Sequence, residues 1–230
     1  WHSPAYTESK RAEPDRKQLV RNRCICISPE QPESDLYKVL RSQIQQRTAD
    51  KGWNTVMITS ANPREGKTLT AINLAVTFAK DYDHTVLLVD CDLKRQAVHQ
   101  YMGIESDVGL IDHILYDRPL KELIIWPGIE KLTLISGGRN IQDSTELLGS
   151  PRMKALVAEM KARYENRYVF FDTPPILTRS DAIAFAPVVD CILLVVESEK
   201  TAMQDIGRAL ELIPKEKFLG FVLNRMKTKV

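Results

Sequence analysis

The sequence of 230 residues has few cysteines, almost no net charge and no long hydrophobic run. Four cysteines are too few for a disulfide framework, and Cys24 and Cys26 lack the second Cys or His pair that a structural zinc site needs. Apolar runs such as Cys191–Val196 are much shorter than the roughly 18 residues that cross a bilayer. The formal charge of +2 indicates no nucleic-acid partner. No signal-peptide pattern opens the sequence, so we expect a reducing, cytoplasmic location.

What the sequence does contain is the ordinary mixture of a globular protein, with 43% hydrophobic and 27% charged residues. Residues 1–33 are polar and rich in proline, and we expect a flexible leader with one extended piece at Arg23–Ile27. Residues 34–230 have the patterning of a single folded domain, which opens with a helix from about Ser34 to Arg47.

Strand-like and helix-like segments then alternate. Several strands are apolar at every position, which is typical of a parallel sheet covered on both faces. The strand candidates are Thr55–Thr59, Thr85–Asp90, Leu132–Ile135, Tyr168–Asp172, Asp190–Val196 and Phe218–Leu223. The helix candidates are Thr68–Lys80, Leu110–Tyr116, Arg152–Arg163 and Ala202–Ile213. The pattern predicts one α/β domain with a mostly parallel central sheet and helices on both faces.

A glycine-lysine-threonine stretch stands between the first of these strands and the helix that follows. Backbone N–H groups and the positive end of that helix would face one anion there, as in a P-loop. Gly66 would allow close approach, Lys67 would reach the β- and γ-phosphates, and the Thr68 hydroxyl would hold Mg²⁺. The strict pattern fails at its first position, where Ala61 replaces glycine. We predict nucleotide contacts from Asn62, Pro63, Arg64, Glu65, Gly66, Lys67, Thr68 and Leu69.

Three acidic residues lie at the ends of two other apolar strands. Asp90 and Asp92 follow Val86–Val89, and Asp172 follows Val169–Phe171. Ligands gather beyond the carboxyl ends of parallel strands, so these acids should converge on the phosphate loop. Carboxylates beside a nucleotide phosphate hold Mg²⁺ directly or through water, which is the role predicted for Asp90 and Asp172.

Three stretches together resemble the bacterial tyrosine kinases of capsule and exopolysaccharide biosynthesis. They are S-x-x-P-x-E-G-K-T at Ser60–Thr68, V-L-L-V-D-x-D-L-K at Val86–Lys94 and V-F-F-D-T-P-P at Val169–Pro175. The resemblance covers about Ser34 to Val230, and it is nearest to the autokinases of exosortase (PEP-CTERM) polysaccharide loci. It implies a P-loop NTPase-like fold that uses ATP and Mg²⁺ to phosphorylate protein tyrosine.

The resemblance also implies roles for single residues. Lys67, Asp90, Asp92 and Asp172 would be catalytic, with Asp92 near the attacking tyrosine hydroxyl. Thr68, Asp90 and Asp172 would form the metal site. Asn224 would read the adenine edge, with Arg225 beside it. A carboxylate near the nucleophile is chemically reasonable, because a tyrosine hydroxyl has a pKa near 10 and must lose its proton as it attacks.

The sequence departs from the family pattern at several positions. Arg64 stands where glycine is common, Lys94 replaces an arginine and Gln96 stands where proline is common. The family's tyrosine-rich tail is also not recognisable, since no tyrosine follows Tyr168. Among the remaining tyrosines, we expect Tyr82, Tyr101, Tyr164 and Tyr168 to reach another subunit's site only after local unfolding. That leaves Tyr37 and Tyr6 as the first alternative acceptors.

The implied partners are protein tyrosine substrates and a membrane chain-length regulator that recruits the kinase to the inner face of the plasma membrane. The segment Asp35–Arg41 resembles a family helix that packs against a neighbouring subunit, which suggests a ring-like oligomer. An amphipathic helix packed on its own domain is the simpler reading of the same residues.

Two other functions remain open from the sequence. The chain could be an ATPase switch of the partitioning or cell-division-site type, although that class carries a second lysine early in the loop, where this sequence has Asn62–Glu65. It could also be a non-catalytic, nucleotide-dependent assembly module. Phosphotyrosine formation from ATP separates the kinase from both.

Overall fold

The computed structural model describes residues 10–14, 16–27, 33–164 and 166–226, and within them eight strands form one sheet. The strands are β1 (Lys10–Arg11), β2 (Thr55–Ser60), β3 (Thr85–Asp90), β4 (Ile125–Trp126), β5 (Leu132–Ile135), β6 (Arg167–Asp172), β7 (Cys191–Glu197) and β8 (Phe218–Asn224). The α-helices are α1 (Arg16–Arg21), α2 (Glu33–Thr48), α3 (Lys67–Ala79), α4 (Val98–Tyr101), α5 (Leu110–Tyr116), α6 (Leu120–Leu123), α7 (Ser144–Leu148), α8 (Pro151–Ala162), α9 (Ser180–Phe185) and α10 (Met203–Leu212).

The strand order is β1-β4-β5-β3-β6-β2-β7-β8. Every described pairing is parallel except that of β4 with β5. Because β3, β6 and β2 are neighbours, the segments that follow them meet at one edge of the sheet. The phosphate loop and the segments after Asp90 and Asp172 therefore adjoin each other.

The central strands β2, β3, β6 and β7 are covered on both faces, which explains their runs of consecutive apolar residues. Met57 of β2 belongs to a core formed with α5, α8, α9 and α10. Its neighbours Val56 and Ile58 belong to a second core, formed with α2 and α3. The predicted single α/β domain with helices on both faces is confirmed, and the six predicted strands and four predicted inner helices lie within one or two residues of the observed ones.

Sequence reasoning missed the two shortest strands, β1 and β4. Each contains two residues, and two residues show no periodicity. Their identity as strands depends on tertiary pairing, for the Lys10 N–H donates to Ile124 O and the Ala12 N–H donates to Trp126 O.

The expectation of a flexible, solvated leader is wrong for residues 16–27. Leu19, Cys24 and Cys26 are at most 2% exposed and pack into the core shared with α3. The predicted extended piece at Arg23–Ile27 is also wrong, since Ile25–Ile27 form a 3₁₀ turn. The Cys26 N–H donates to Asn73 Oδ1 of α3. The backbone of this turn is therefore hydrogen-bonded to a side chain and not to a neighbouring strand. Lys10–Arg11 of the leader form β1, and residues 1–9, 15 and 28–32 lie outside those described. The boundary at residue 33 stays a prediction.

None of the helices in the described ranges combines the length and the apolar character needed to cross a bilayer.

Candidate active site

The phosphate loop joins β2 to α3 with two residues in the left-handed region. Gly66 has φ +96°, and a Cβ there would lie 2.1 Å from Asn224 Nδ2, so only glycine fits without displacing Asn224. Arg64 has φ +69°, a conformation that costs a non-glycine residue about 1–2 kcal/mol. The exposed Arg64 side chain points to solvent, which is how the loop accepts a residue where the family often has glycine.

Glu65 turns its side chain into the protein instead of towards the anion cradle. It is 4% exposed, and its carboxylate accepts the Asn62 N–H at 2.9 Å and the Thr201 hydroxyl at 2.6 Å. The Asn62 side chain donates to Asp205 Oδ2 at 3.0 Å. The side chains of these two loop residues fasten the loop to Thr201 and to Asp205 of α10. Their predicted nucleotide contacts stay a prediction. Sequence reasoning missed Thr201 and Asp205, because Thr201 belongs to no motif and Asp205 is one of several charged residues in the predicted helix Ala202–Ile213.

Four predicted site residues do meet at the carboxyl edge of the sheet. Lys67 Nζ lies 3.0 Å from Asp92 Oδ2 and 3.4 Å from Asp172 Oδ1. The Thr68 hydroxyl donates to the other Asp172 oxygen at 2.7 Å. The Lys67 side chain is 12% exposed, and the carboxylates are more deeply buried. Lys67, on the first turn of α3, thus holds a buried ammonium between two carboxylates from other segments. This arrangement is a preorganised site for a charged ligand.

The pKa values at this cluster reflect the competition between burial and charge. Burial would lower the pKa of the Lys67 ammonium, but Asp172 and Asp92 outweigh it and raise that pKa. Burial raises the pKa of the Asp172 carboxyl, against the opposing influence of Lys67 and the Thr68 hydrogen bond. Lys67 therefore stays protonated, and its ammonium can move from the carboxylates to a bound phosphate.

Asp90 is fully buried and faces the backbone. It pairs in register with Asp172, and its two oxygens accept the N–H groups of Asp92 at 3.1 Å and of Ala97 and Val98 at 3.0 Å each. Burial, followed by the charge of Asp172, raises the pKa of Asp90 to about 7. These contacts hold the segment that carries Asp92. They favour the water-mediated form of the predicted metal role, which stays a prediction.

Asn224 ends β8 directly above the phosphate loop. Its Nδ2 donates to Glu65 O at 2.8 Å, and its Oδ1 accepts the Arg225 N–H at 2.9 Å. The Arg225 guanidinium pairs with Glu197 at 3.0 Å. A cavity of about 740 Å³ opens beside Asn224 and also includes Gly66 and Leu69. The predicted adenine contact of Asn224 stays a prediction, and its present contacts shape the loop.

The residues at this edge fit a magnesium nucleotide. The Thr68 hydroxyl and the Asp172 carboxylate are the oxygen donors that Mg²⁺ prefers, and Gly66 leaves the backbone open to a phosphate. No cluster of three or more His, Cys, Asp or Glu side chains suited to a metal occurs in the described ranges. Mg²⁺ does not require one, because it is usually held by one or two carboxylates together with substrate phosphates.

Helix α2 carries the segment Asp35–Arg41. Lys38 pairs with Asp35 at 2.6 Å, and Arg41 donates to Thr77 O of α3 at 2.8 Å. Leu36 and Val39 are 67% and 57% exposed, and Leu36 also lines the cavity beside Asn224. The helix thus packs on its own domain and still presents apolar side chains to solvent.

The tyrosines differ in accessibility from what the sequence suggested. Tyr82 is 82% exposed, Tyr116 is 65% exposed and Tyr164 is 43% exposed, so the expectation that Tyr82 and Tyr164 need local unfolding is wrong. Tyr37 is half-buried, and burial raises the pKa of its hydroxyl to about 12. Tyr168 is 6% exposed. Tyr6 lies outside the described residues.

The sequence is similar to a known domain family and to proteins named as tyrosine kinases. A family model described as an AAA domain matches residues 54–218. The chain is 36% identical to the tyrosine-protein kinase YwqD of Bacillus subtilis (strain 168), over 91% of this chain and 88% of that protein. It is 30% identical to the tyrosine-protein kinase ptk of Acinetobacter johnsonii, over 74% of this chain but 23% of that longer protein.

The fold is similar to the crystal structure of the chimerical protein CapA2B2, with a TM-score of 0.81 and 28% identity. That match covers 98% of this chain and 96% of the other.

Proposed function

The chain belongs to the bacterial tyrosine-protein kinases, as its three motifs predicted, and on that premise we propose how it transfers the γ-phosphoryl group of ATP to protein tyrosine. The observation that carries the proposal is the position of Lys67 Nζ between Asp92 and Asp172 at the start of α3. Phosphoryl transfer requires charge compensation and alignment more than covalent chemistry, and this cluster offers both.

The phosphate loop binds the nucleotide phosphates through its backbone N–H groups and the N-terminal end of α3. Lys67 moves its ammonium from the carboxylates to the β- and γ-phosphates. Thr68 and Asp172 would hold Mg²⁺, which would neutralise charge on the phosphate oxygens. Gly66 keeps the loop backbone accessible, and the Glu65 and Asn224 contacts maintain its shape.

Asp92 accepts the proton of the attacking tyrosine. Its side chain is 8% exposed and lies on the ligand side of the cluster, in contact with Lys67. When Lys67 turns to the phosphates, the Asp92 carboxylate loses that contact and is open to a hydrogen bond from the tyrosine hydroxyl. Asp90 holds the Asp92 N–H and is a positioning residue in this scheme.

The cavity beside Asn224 would take the nucleoside. Its wall combines the apolar Leu69 with the polar Asn224 and Arg225, which suits a flat base with a polar edge. Asn224 would exchange its bond to the Glu65 carbonyl for one to the base.

The biological setting follows from the family. We propose that the kinase acts in exopolysaccharide or capsule export, is activated by a membrane chain-length regulator and works at the inner face of the plasma membrane. The longer ptk relative, of which this chain matches 23%, is compatible with a kinase domain that works beside further segments. The exposed side chains of Leu36 and Val39 support a contact of α2 with another copy in a ring.

The deciding experiment follows both products of ATP turnover. The chain is incubated with γ-labelled ATP, Mg²⁺ and a copolymer of glutamate and tyrosine, with and without the cytoplasmic segment of a candidate regulator. A kinase gives label on tyrosine that rises with the regulator. Release of ADP and free phosphate without labelled tyrosine would instead identify an ATPase switch.

A further inference from the structure

Tyr82 lies in the turn between α3 and β3 and is the most exposed tyrosine in the described part of the chain, at 82%. Asp81 and Asp83 stand on either side of it, and Asp83 is exposed. Its hydroxyl therefore projects to solvent from an acidic surface turn.

The backbone of this turn is fixed, and the tyrosine side chain is exposed, with Lys131 Nζ 5.9 Å from the centre of its ring. Lys131 Nζ donates to the carbonyl of Asp81 and lies 3.5 Å from that of Tyr82. His84 Nδ1 lies 3.1 Å from Asp81 Oδ2. A fixed backbone presents the phenol at little further cost in conformational entropy, so no local unfolding precedes its use.

The catalytic edge of the sheet has the complementary charge. Four basic residues occupy the segments after β2, β3 and β6, and none forms an ion pair within the described ranges. They are Arg64, Lys94, Arg95 and Arg179. We refer to these four residues as the basic rim. Unpaired cations around a site raise the encounter rate with an acidic segment and favour its binding.

Tyr82 cannot serve its own active site. Lys67 begins α3, and Tyr82 follows the end of that helix, whose 13 residues span about 20 Å. The two residues therefore lie at opposite edges of the sheet. A phosphoryl group from one copy can reach only the Tyr82 of another copy.

We propose that Tyr82 is a phosphorylation site that a second copy of this chain modifies in trans. The inference rests on the proposed kinase function and adds an acceptor to it. The Tyr82 phenol oxygen attacks the γ-phosphorus and forms the new P–O bond. The bond from that phosphorus to the β,γ-bridging oxygen breaks, and its electron pair leaves with ADP. The phenolic proton passes to Asp92 of the active copy.

The surroundings of Tyr82 can receive the product. A cavity of about 800 Å³ beside it is lined by Lys80, Lys131 and Arg11 of β1, and also by Glu130 and by Glu13, which pairs with Arg11 at 2.7 Å. A phosphate brings a charge of about −2 and three acceptor oxygens, which strengthen contacts with such cations.

The test uses full-length chains. Wild-type chain is the donor, and isotopically heavy Lys67→Met chain is the acceptor, so that mass spectrometry assigns each phosphate to one copy. A glutamate–tyrosine copolymer in the same tube reports the activity of the donor. Label is expected on Tyr82 of the acceptor, and Tyr82→Phe in the acceptor should remove most of it. Because the ring of Tyr82 is exposed, the phenylalanine variant should fold like the parent.

Two further variants of the acceptor chain test why Tyr82 is the tyrosine that is phosphorylated. Tyr116→Phe, the matched control at the next most exposed tyrosine, should leave the label unchanged. Asp83→Asn should slow labelling by about two- to fivefold, the value expected for one exposed charge.

Labelled copolymer with an unmodified Tyr82, or label confined to Tyr116, would overturn this inference and leave the kinase function intact. Label on neither the copolymer nor the acceptor would contradict the kinase function and, with it, this inference.

Discussion

The Thr201 hydroxyl donates a 2.6 Å hydrogen bond to Glu65 Oε1 and accepts the Glu197 N–H at 2.8 Å. One side chain therefore joins the phosphate loop to the end of β7. Glu197 also pairs with Arg225, next to the Asn224 that covers Gly66. The loop is held from two directions by residues that do not themselves face the phosphate cradle.

These contacts of Thr201 predict a specific effect of Thr201→Val on nucleotide binding. The valine keeps the shape but leaves the buried Glu65 oxygen without a donor, and a hydrogen bond to a charged group contributes about 1.5–3 kcal/mol. We expect the Kd for Mg·ATP, measured by calorimetry, to rise about tenfold while kcat at saturating ATP stays near that of the wild type. Thr201→Ser keeps the hydroxyl and should restore the affinity. Equal losses of affinity in the serine and valine variants would show that the Thr201 hydroxyl does not hold the phosphate loop.

A second prediction separates binding from chemistry at Asp92. Asp92→Asn keeps the size of the side chain and one acceptor for Lys67, but it cannot take a proton. Transfer to tyrosine should slow by about 10²- to 10⁴-fold, the usual contribution of a general base, with a much smaller change in ATP affinity. Single-turnover kinetics and equilibrium nucleotide binding measure the two quantities. If rate and affinity fell together, Asp92 would be a metal or folding residue.

The third prediction concerns the packed leader. Burial raises the pKa of the Cys24 thiol to about 12 and that of Cys26 to about 11, from 9.0 in an exposed thiol. Above pH 9 the unfolded chain releases thiol protons that the folded chain retains. The free energy of unfolding should therefore fall as pH rises from 9 towards 11, by up to about 1.4 kcal/mol per pH unit for each thiol.

Urea titrations at pH 8, 9.5 and 10.5 measure that slope, and Cys24→Ala with Cys26→Ala should reduce it. At pH 8 the native thiols should react with a disulfide reagent far more slowly than those of the unfolded chain. Rapid labelling of Cys24 and Cys26, with Cys91 and Cys191 protected, would mean that the leader is not packed on α3.

The sequence predicted those parts of the molecule that depend on local pattern. The central strands β2, β3, β6 and β7 each contain a run of consecutive apolar residues, and the carboxyl ends of β3 and β6 are marked by Asp90 and Asp172. The phosphate loop was recognisable because glycine, lysine and threonine stand where a strand gives way to a helix. Topology then brings Lys67, Thr68, Asp92 and Asp172 together, as expected.

The remaining features depend on partners distant in sequence. The inward turn of Glu65 requires Thr201, which is 136 residues away, and the buried leader requires Asn73 of α3. The backbone contacts of Asp90 could not be predicted, because the sequence is the same whether a carboxylate at the end of a strand faces a ligand or a backbone amide. The exposure of Tyr82 depends on Lys131, which holds its turn from a neighbouring strand connection.

Transfer of label from γ-labelled ATP to tyrosine by the wild-type chain and by Lys67→Met tests the central claim most directly. Lys154→Met, which replaces an exposed lysine of α8, is the matched control, and near-UV circular dichroism checks that each variant is folded. Thr68→Ala is the second loop variant, in case loss of Lys67 leaves Asp92 and Asp172 too close for a stable fold. The account predicts phosphotyrosine with the wild type and Lys154→Met, and none above background with folded Lys67→Met or Thr68→Ala. Wild-type levels of phosphotyrosine in either folded loop variant would contradict it.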